Sequence, residues 1–237
     1  MSDIGQICHS FNKMAQSYSD SSFLQNKVAR ILLDFCDDKF IKNDIRKVLD
    51  LGAGSGNIAN NIKYNLDVFT ALDNALNLLR LHPQSLANIT RINIVECDFD
   101  SYDFNENYDL VISSSALQWA KNLDNLAKKL ADSHISHFAF AIFTNASLCE
   151  LHEFLGTKSP LKSSEELLNI MQRYFKIDFK AESFCIKFTL REEFLAYLKK
   201  CGLLGGGHLS FRDKKRLRFE LPMLEANFEV LFIKGSK

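Results

Sequence analysis

Val48-Leu49-Asp50-Leu51-Gly52-Ala53-Gly54-Ser55-Gly56-Asn57 is the stretch that decides the fold. A short apolar run ends near an acid, passes into three alternate glycines and continues into residues of helical pattern. Glycine lacks a Cβ, so it takes the positive-φ and close-approach conformations such a turn needs. A helix that follows offers free N–H groups and the positive end of its dipole. The stretch reads as a nucleotide-cofactor loop. Gly54-x-Gly56-x-x-Ala59 also satisfies the dinucleotide fingerprint, so the loop alone leaves the cofactor open. A glycine-rich turn with no ligand is the third reading.

Working outward, the chain alternates short apolar or β-branched runs with amphipathic segments, the pattern of a parallel sheet covered by helices on both faces. Strands are expected at Lys47–Leu51, Val68–Leu72, Ile92–Glu96, Tyr108–Ser113 and Phe138–Phe143. Helical patterns cover Ser22–Asp37, Gly56–Tyr64, Asn74–Leu81, Leu123–Asp132 and Ser147–Leu155. After Gly156 the spacing predicts helices over Ser163–Phe175 and Arg191–Cys201 and strands over Phe179–Phe188 and Phe228–Lys234, two late strands that could close the sheet as an antiparallel edge. Gly205-Gly206-Gly207 and Arg212-Asp213-Lys214-Lys215-Arg216 read as a flexible, basic connection.

The composition narrows the function. The 237 residues include 29 Lys+Arg and 29 Asp+Glu, so no global field draws in nucleic acid or an anionic membrane, and any charged partner must meet a local patch. The six cysteines contain no Cys-x-x-Cys pair, and the histidines show no metal spacing such as His-Glu-x-x-His, so no metal site is expected. No run approaches the ~20 apolar residues of a membrane span, and the opening residues lack a signal-peptide pattern. A cytoplasmic protein is the expectation.

In an open parallel sheet, ligands sit beyond the carboxyl ends of the strands. Asp50 and Asp73 end the first two expected strands and Asp98 follows the third. The separation of Gly54 and Asp73 is close to the ~20 residues expected for a ribose ligand, and a carboxylate there can accept hydrogen bonds from both ribose hydroxyls. Asp73 also suits an N-cap of the helix expected from Asn74. Asp98 can accept from an adenine amino group.

Asp-x-Gly-x-Gly-x-Gly at Asp50–Gly56 resembles the first motif of class I S-adenosylmethionine (SAM)-dependent methyltransferases. Within that superfamily the chain is similar to the malonyl-[acyl-carrier protein] O-methyltransferases of biotin synthesis. The likeness is carried by Phe11-Asn12-Lys13-Met14-Ala15-Gln16-Ser17-Tyr18-Ser19-Asp20, by Leu24-Gln25-Asn26-Lys27-Val28-Ala29, by Ser115-Ala116-Leu117-Gln118-Trp119, and by Leu195–Gly202 with Phe228-Glu229-Val230-Leu231-Phe232. Lys13 stands where the family commonly has arginine, a serine separates Tyr18 from Asp20, and Gly156–Leu190 matches poorly.

The resemblance implies an α/β, Rossmann-like domain over 1–237, with a mostly parallel seven-stranded sheet, helices on both faces and an antiparallel C-terminal strand. It implies an N-terminal helical segment over 1–45 and a lid over 156–176. It places the cofactor against Tyr18, Asp50, Gly52, Gly54, Gly56, Asp73, Asn74, Asp98, Phe99 and Ser113, with Tyr18, Gln118 and Trp119 facing the chemistry. The implied partner is malonyl on acyl carrier protein, or malonyl-CoA.

The malonyl carboxylate is ionised at neutral pH and is itself the nucleophile, so no general base is required. That fits a chain showing no Ser-His-Asp or Cys-His constellation. No Asp-Pro-Pro-Tyr or Asn-Pro-Pro-Tyr follows the fourth strand, which argues against amino nitrogens of bases or glutamine. An arginine should meet the carboxylate, with Arg173, Arg191, Arg212 and Arg216 as candidates. The densest basic cluster, Arg212 through Arg218, is the candidate surface for an acidic carrier. A methyltransferase of small acids or quinone precursors, an NAD-dependent oxidoreductase and a non-catalytic SAM-binding protein remain as rivals.

Overall fold

The computed structural model describes residues 23–37, 45–200 and 210–237. Helix α1 (Phe23–Asp37) leads into β1 (Lys47–Leu51), β2 (Leu66–Asp73), α2 (Leu76–Leu79), β3 (Ile89–Glu96), β4 (Tyr108–Ser114), α3 (Leu123–Asp132) and β5 (Ile135–Phe143). The remainder is α4 (Cys149–Leu155), α5 (Ser164–Gln172), β6 (Lys176–Lys187), α6 (Arg191–Lys200), α7 (Phe211–Phe219) and β7 (Glu225–Ser236). The strands form one seven-stranded sheet in the order β3-β2-β1-β4-β5-β7-β6. Strands β1 to β5 pair in parallel, and β7 runs antiparallel to both neighbours.

Burial follows position in that order. In β1, every residue but Lys47 is buried, and β5 is buried from Phe138 to Phe143, as expected of central strands covered on both faces. The edge strands β3 and β6 expose more of their length. One core gathers Leu24, Val28 and Leu32 of α1 with Phe69, Phe194, Leu198 and Phe228. The other joins Leu126 and Leu130 of α3, Leu167 and Met171 of α5, and Phe138 of β5. These two apolar layers sandwich the sheet.

Three expected features differ. The helix expected over Asn74–Leu81 is the single turn α2, Leu76–Leu79, with Ala75 and not Asp73 at its N-cap, because the Asp73 carboxylate accepts from Ala75 N and turns the chain before the helix starts. The helix expected over Gly56–Tyr64 is a succession of turns with one 3-10 turn at Ala59–Asn61. The Asn61 amide donates to Asn57 O at 2.7 Å, the side-chain competition for backbone groups that keeps asparagine out of helix interiors. The expected flexible basic connection contains a helix, α7, capped by Ser210, whose hydroxyl accepts from Asp213 N at 3.1 Å. The helix was hidden because its nine residues carry five cations and little apolar periodicity; Leu217 is its buried anchor.

The tail of the sheet is fastened by side chains. Glu229 of β7 accepts from Thr144 Oγ1 at 2.7 Å and from Ser164 Oγ at 2.9 Å, tying the end of β5 and the start of α5 to the reversed strand. Within the stretch read as a lid, Leu167, Met171 and Phe175 are buried in the core. The buried Lys234 donates to Phe35 O at 2.6 Å and lies 4.3 Å from the Phe35 ring centre, binding β7 to α1. The N-terminal residues before Phe23 and the Gly205-Gly206-Gly207 segment lie outside the described residues.

Gly235 lets β7 pass against its neighbours: a Cβ there would meet the Phe138 ring at 2.7 Å and Lys176 O at 2.8 Å. Gly235→Ala is therefore expected to cost about 1–3 kcal/mol by overpacking, read as a lower urea midpoint. An unchanged midpoint would mean that β7 is not seated between β5 and β6 in this way.

Candidate active site

The carboxyl ends of β1, β2 and β4 open into a cleft of about 900 Å³ including its mouth. Its floor is the glycine loop. Gly52 N and Ala53 N donate to Leu72 O at 2.8 and 3.0 Å, so the loop is stitched to β2 before it turns. Gly52 has φ +74°, and a Cβ there would lie 2.2 Å from the Ala116 Cβ; only glycine lets the loop pass under the end of β4. Gly54, at φ +52°, donates to Asp73 Oδ2 at 2.9 Å, and a Cβ there would meet nothing closer than 3.9 Å. A Cβ there would sit in ordinary van der Waals contact with Leu78 and Asp73, so it is the positive φ that favours glycine.

Asp73 has a second backbone partner: its Oδ1 accepts from Ala75 N at 2.7 Å. The carboxylate turns the chain out of β2 and clamps the glycine loop at once. Burial raises its pKa, opposed by hydrogen bonds from the Ala75, Gly54 and Asn74 backbone. Asp50 is more exposed to cost. Its side chain is buried, neither carboxylate oxygen has a hydrogen-bond partner among the described residues, and burial first, then the charge of Asp73, drives its pKa well up.

Asp50, Gly52, Gly54, Asp73, Asn74, Asp98, Phe99 and Trp119 all line the cleft. Asp98 is partly engaged already, since Lys121 Nζ lies 2.6 Å from its Oδ2 and Asp100 N donates to its Oδ1 at 3.0 Å. Three expected residues sit elsewhere. Ser113 is fully buried and donates from Oγ to Leu51 O at 2.7 Å, locking β4 to β1; Ser114 reaches the cleft in its place because side chains alternate along a strand, and Ser115 because it stands past the strand end at a bend of φ +62°. Gly56 faces away: a Cβ there would meet Pro83 and His82. Gln118 stands behind the wall and donates from Nε2 to Ser115 O at 2.6 Å. Tyr18 lies outside the described residues.

Gln25 was not expected. It lies on α1, lines the cleft, is buried, and its Oε1 has no partner. The available signal was a glutamine beside Leu24 and three to four residues before Val28 and Ala29, on the stripe that turns inward. Ser115 was another, holding φ +62° at the bend after β4. Among the described residues, Gln25, Asp50, Ser114 and Ser115 present buried polar atoms without partners, and all four line the same cleft. Such groups call for a partner from outside the protein, water or ligand.

Residues 48–133 match the methyltransferase domain family. The malonyl-[acyl-carrier protein] O-methyltransferase of Acetivibrio thermocellus is 31% identical over 159 residues, covering 66% of this chain and 56% of that protein. The protein of the same name from Chlorobium luteolum is 28% identical over 115 residues, covering 47% and 44%. The chain thus spans about half the length of these curated relatives. A putative methyltransferase from Bacillus halodurans superposes with a TM-score of 0.63 at 12% identity, covering 88% of this chain and 98% of that one. The plantazolicin methyltransferase BpumL, solved with a substrate analogue and S-adenosylhomocysteine (SAH), superposes with a TM-score of 0.57 at 12% identity, covering 99% and 96%.

Sheet order and glycine loop are those of the class I methyltransferase fold, and residues 48–133 carry the match to the methyltransferase domain family. Its similarity to particular proteins runs to the malonyl-[acyl-carrier protein] O-methyltransferases, over part of their length.

Asp50 titrates with a raised pKa, so the unfolded chain ionises first and stability falls as pH rises above the ordinary carboxylate range. Asp50→Asn removes that loss. The variant without ligand should melt higher than the parent at pH 7.5, with the difference shrinking toward pH 4. Equal melting temperatures at both pH values would show that Asp50 meets no such penalty.

Proposed function

We propose that this protein transfers the methyl group of SAM to the free carboxylate of a malonyl group carried on acyl carrier protein. The observation that carries the cofactor half is the charge of the cleft. Four aspartates, Asp50, Asp73, Asp98 and Asp100, line it, and no lysine or arginine does so among the described residues, although Lys121 pairs with Asp98 from behind the lining. A cationic ligand suits that lining, and a dinucleotide pyrophosphate would be repelled. The short 3-10 turn after Gly56 also offers no long helix N-terminus for a pyrophosphate, which weakens the NAD reading further.

The residues fit the cofactor by their unmet needs. Asp50 offers two carboxylate oxygens that are unpartnered among the described residues to an ammonium group, and Gly54 lines the cleft with bare backbone beside it. Asp73 retains acceptor capacity beyond its two backbone partners for ribose hydroxyls. Phe99 and Asp98 border the place for the base. When bound, SAM supplies an electrophilic methyl on sulfur.

The protein's part is then placement. Ser114, Ser115, Ala116 and Trp119 form the β4 wall, where an acceptor would approach. The carboxylate is the nucleophile, so the side chains have no proton to move; they orient it in line and keep water out. Gln118 supports that wall through Ser115 O. Tyr18, by resemblance, covers the methyl donor. The acceptor half of the reading is supported by the names of the relatives and by the Ser115–Trp119 segment. Conversion to the ester removes the charge, so that the carried chain passes as an ordinary acyl primer.

Incubation with SAM and malonyl-acyl carrier protein should give the methyl ester, detected by mass spectrometry of the carrier. Methylation confined to free acids such as aconitate would move the assignment to a small-acid methyltransferase. Asp73→Ala should weaken SAH binding by roughly 1.5–3 kcal/mol, about ten- to a hundredfold in Kd by calorimetry. Unchanged affinity would place the ribose elsewhere.

A further inference from the structure

Helix α7 concentrates charge in a chain that has none overall. Arg212, Lys214, Lys215 and Arg218 are exposed, and none makes an ion pair among the described residues. At 100° per residue they share one side of the helix with Phe219, which is 63% exposed. The opposite side is used for seating: Leu217 is buried, and Arg216 donates to Phe154 O while its guanidinium lies 4.6 Å from the Phe154 ring centre. Arg191 fastens the far end, donating to Arg218 O at 3.1 Å and Leu221 O at 2.9 Å. Leu190, immediately before it, is 55% exposed.

Helix stability does not account for this arrangement. Cations in the last turn complement the helix dipole, but Arg212 and Lys214 stand in the first turn, where the dipole opposes them. Lys214 and Arg218 repel at i,i+4, as do Arg212 and Lys215 at i,i+3. Topology places the patch on the side of the cleft. Lys187, ending β6, pairs with Glu225, starting β7, and Phe143, ending β5, pairs with Val230. The end of β6 and the start of β7, between which α6 and α7 lie in sequence, are therefore at the same carboxyl edge as the glycine loop. Strand β7 is two places from β4, roughly 10 Å across the sheet.

We infer that the outward face of α7, with Phe219 as its apolar anchor, is the docking surface for the acidic carrier protein. This rests on the carrier-bound substrate of the proposed function. Four cations without an ion pair among the described residues match an acidic partner surface, and the aromatic ring among them matches an apolar contact, the anatomy of a protein interface more than of a phosphate-backbone track. A carrier seated there would deliver its thioester along the carboxyl edge to the β4 wall.

The test is the triple variant Lys214→Glu, Lys215→Glu, Arg218→Glu, which leaves Arg212 in place as a candidate for the substrate carboxylate, with circular dichroism confirming its helix content. Binding of malonyl-acyl carrier protein is titrated by fluorescence anisotropy, and turnover is measured with malonyl-pantetheine, which has no protein to dock. The expected result is at least about tenfold weaker carrier binding, a flatter salt dependence and unchanged malonyl-pantetheine turnover. Equal carrier binding by parent and variant overturns the docking surface while leaving the function standing. A parent that binds the carrier through α7 but methylates no malonyl thioester supports the surface and removes the function. A parent that binds no carrier, or a variant that loses binding only to a single-stranded RNA probe, overturns the inference.

Discussion

The cleft depends on one buried carboxylate holding two pieces of chain. Asp73 accepts from Gly54 N in the loop after β1 and from Ala75 N at the exit from β2. Without it the glycine loop would have an unpaired buried donor, and the turn out of β2 would lose its local hydrogen bond. Hydrogen bonds to a charged acceptor are stronger than neutral ones, which suits a side chain asked to fix a loop of three positive-φ glycines. The roles of turn-former and ribose ligand, alternatives in the sequence, are compatible in the structure. Two oxygens with several lone pairs can serve the backbone and still face the cleft.

Around that clamp, sheet order does the rest. The reversal of order between β1 and β4 leaves a crevice at the carboxyl edge, the general position for ligands in open α/β sheets. Strand β7, inserted antiparallel between β5 and β6, returns the chain so that α4, α6 and α7 follow or precede strand ends at this same edge. The apolar layers are thus committed to the sheet faces, while the polar and charged features collect at one edge. A consequence is that cofactor loop, β4 wall and basic helix can cooperate without any of them interrupting a core.

The fold was legible because the central strands are continuous apolar runs with acids or glycines at their ends. Lys47–Leu51 and Leu123–Asp132 coincide with the expected bounds. The edge strands β3 and β6 extend beyond their expected starts, since half-exposed residues such as Arg91 and Lys176 carry no apolar signal. The helix after the glycine loop was misread because Ile58, Ala59 and Ile62 give a helical rhythm, whereas the asparagines between them form local bonds instead. At the cleft, residue type and spacing located Asp50 and Asp73. Which of Ser113, Ser114 and Ser115 turns inward depends on strand phase at a bend, and the burial of Gln25 depends on the packing of α1 across the loop. Neither is written in local sequence.

The distribution of unmet polar groups ties stability to function. A domain of this size has every reason to pair its buried polar atoms, and most here are paired by strand ladders and turns. Among the exceptions in the described residues, Gln25, Asp50, Ser114 and Ser115 surround the acid-lined cleft, while others such as His82 and Arg191 lie away from it. Each of the four at the cleft is unfavourable in the empty protein, and Asp50 the more so because Asp73 stands beside it. A ligand that brings a positive charge and hydroxyl donors relieves these terms together, so its binding free energy includes the removal of penalties already built into the fold. Preorganisation in this sense favours a cation over a neutral nucleoside of similar shape, because only the cation answers the charge that Asp50 must carry to bind it.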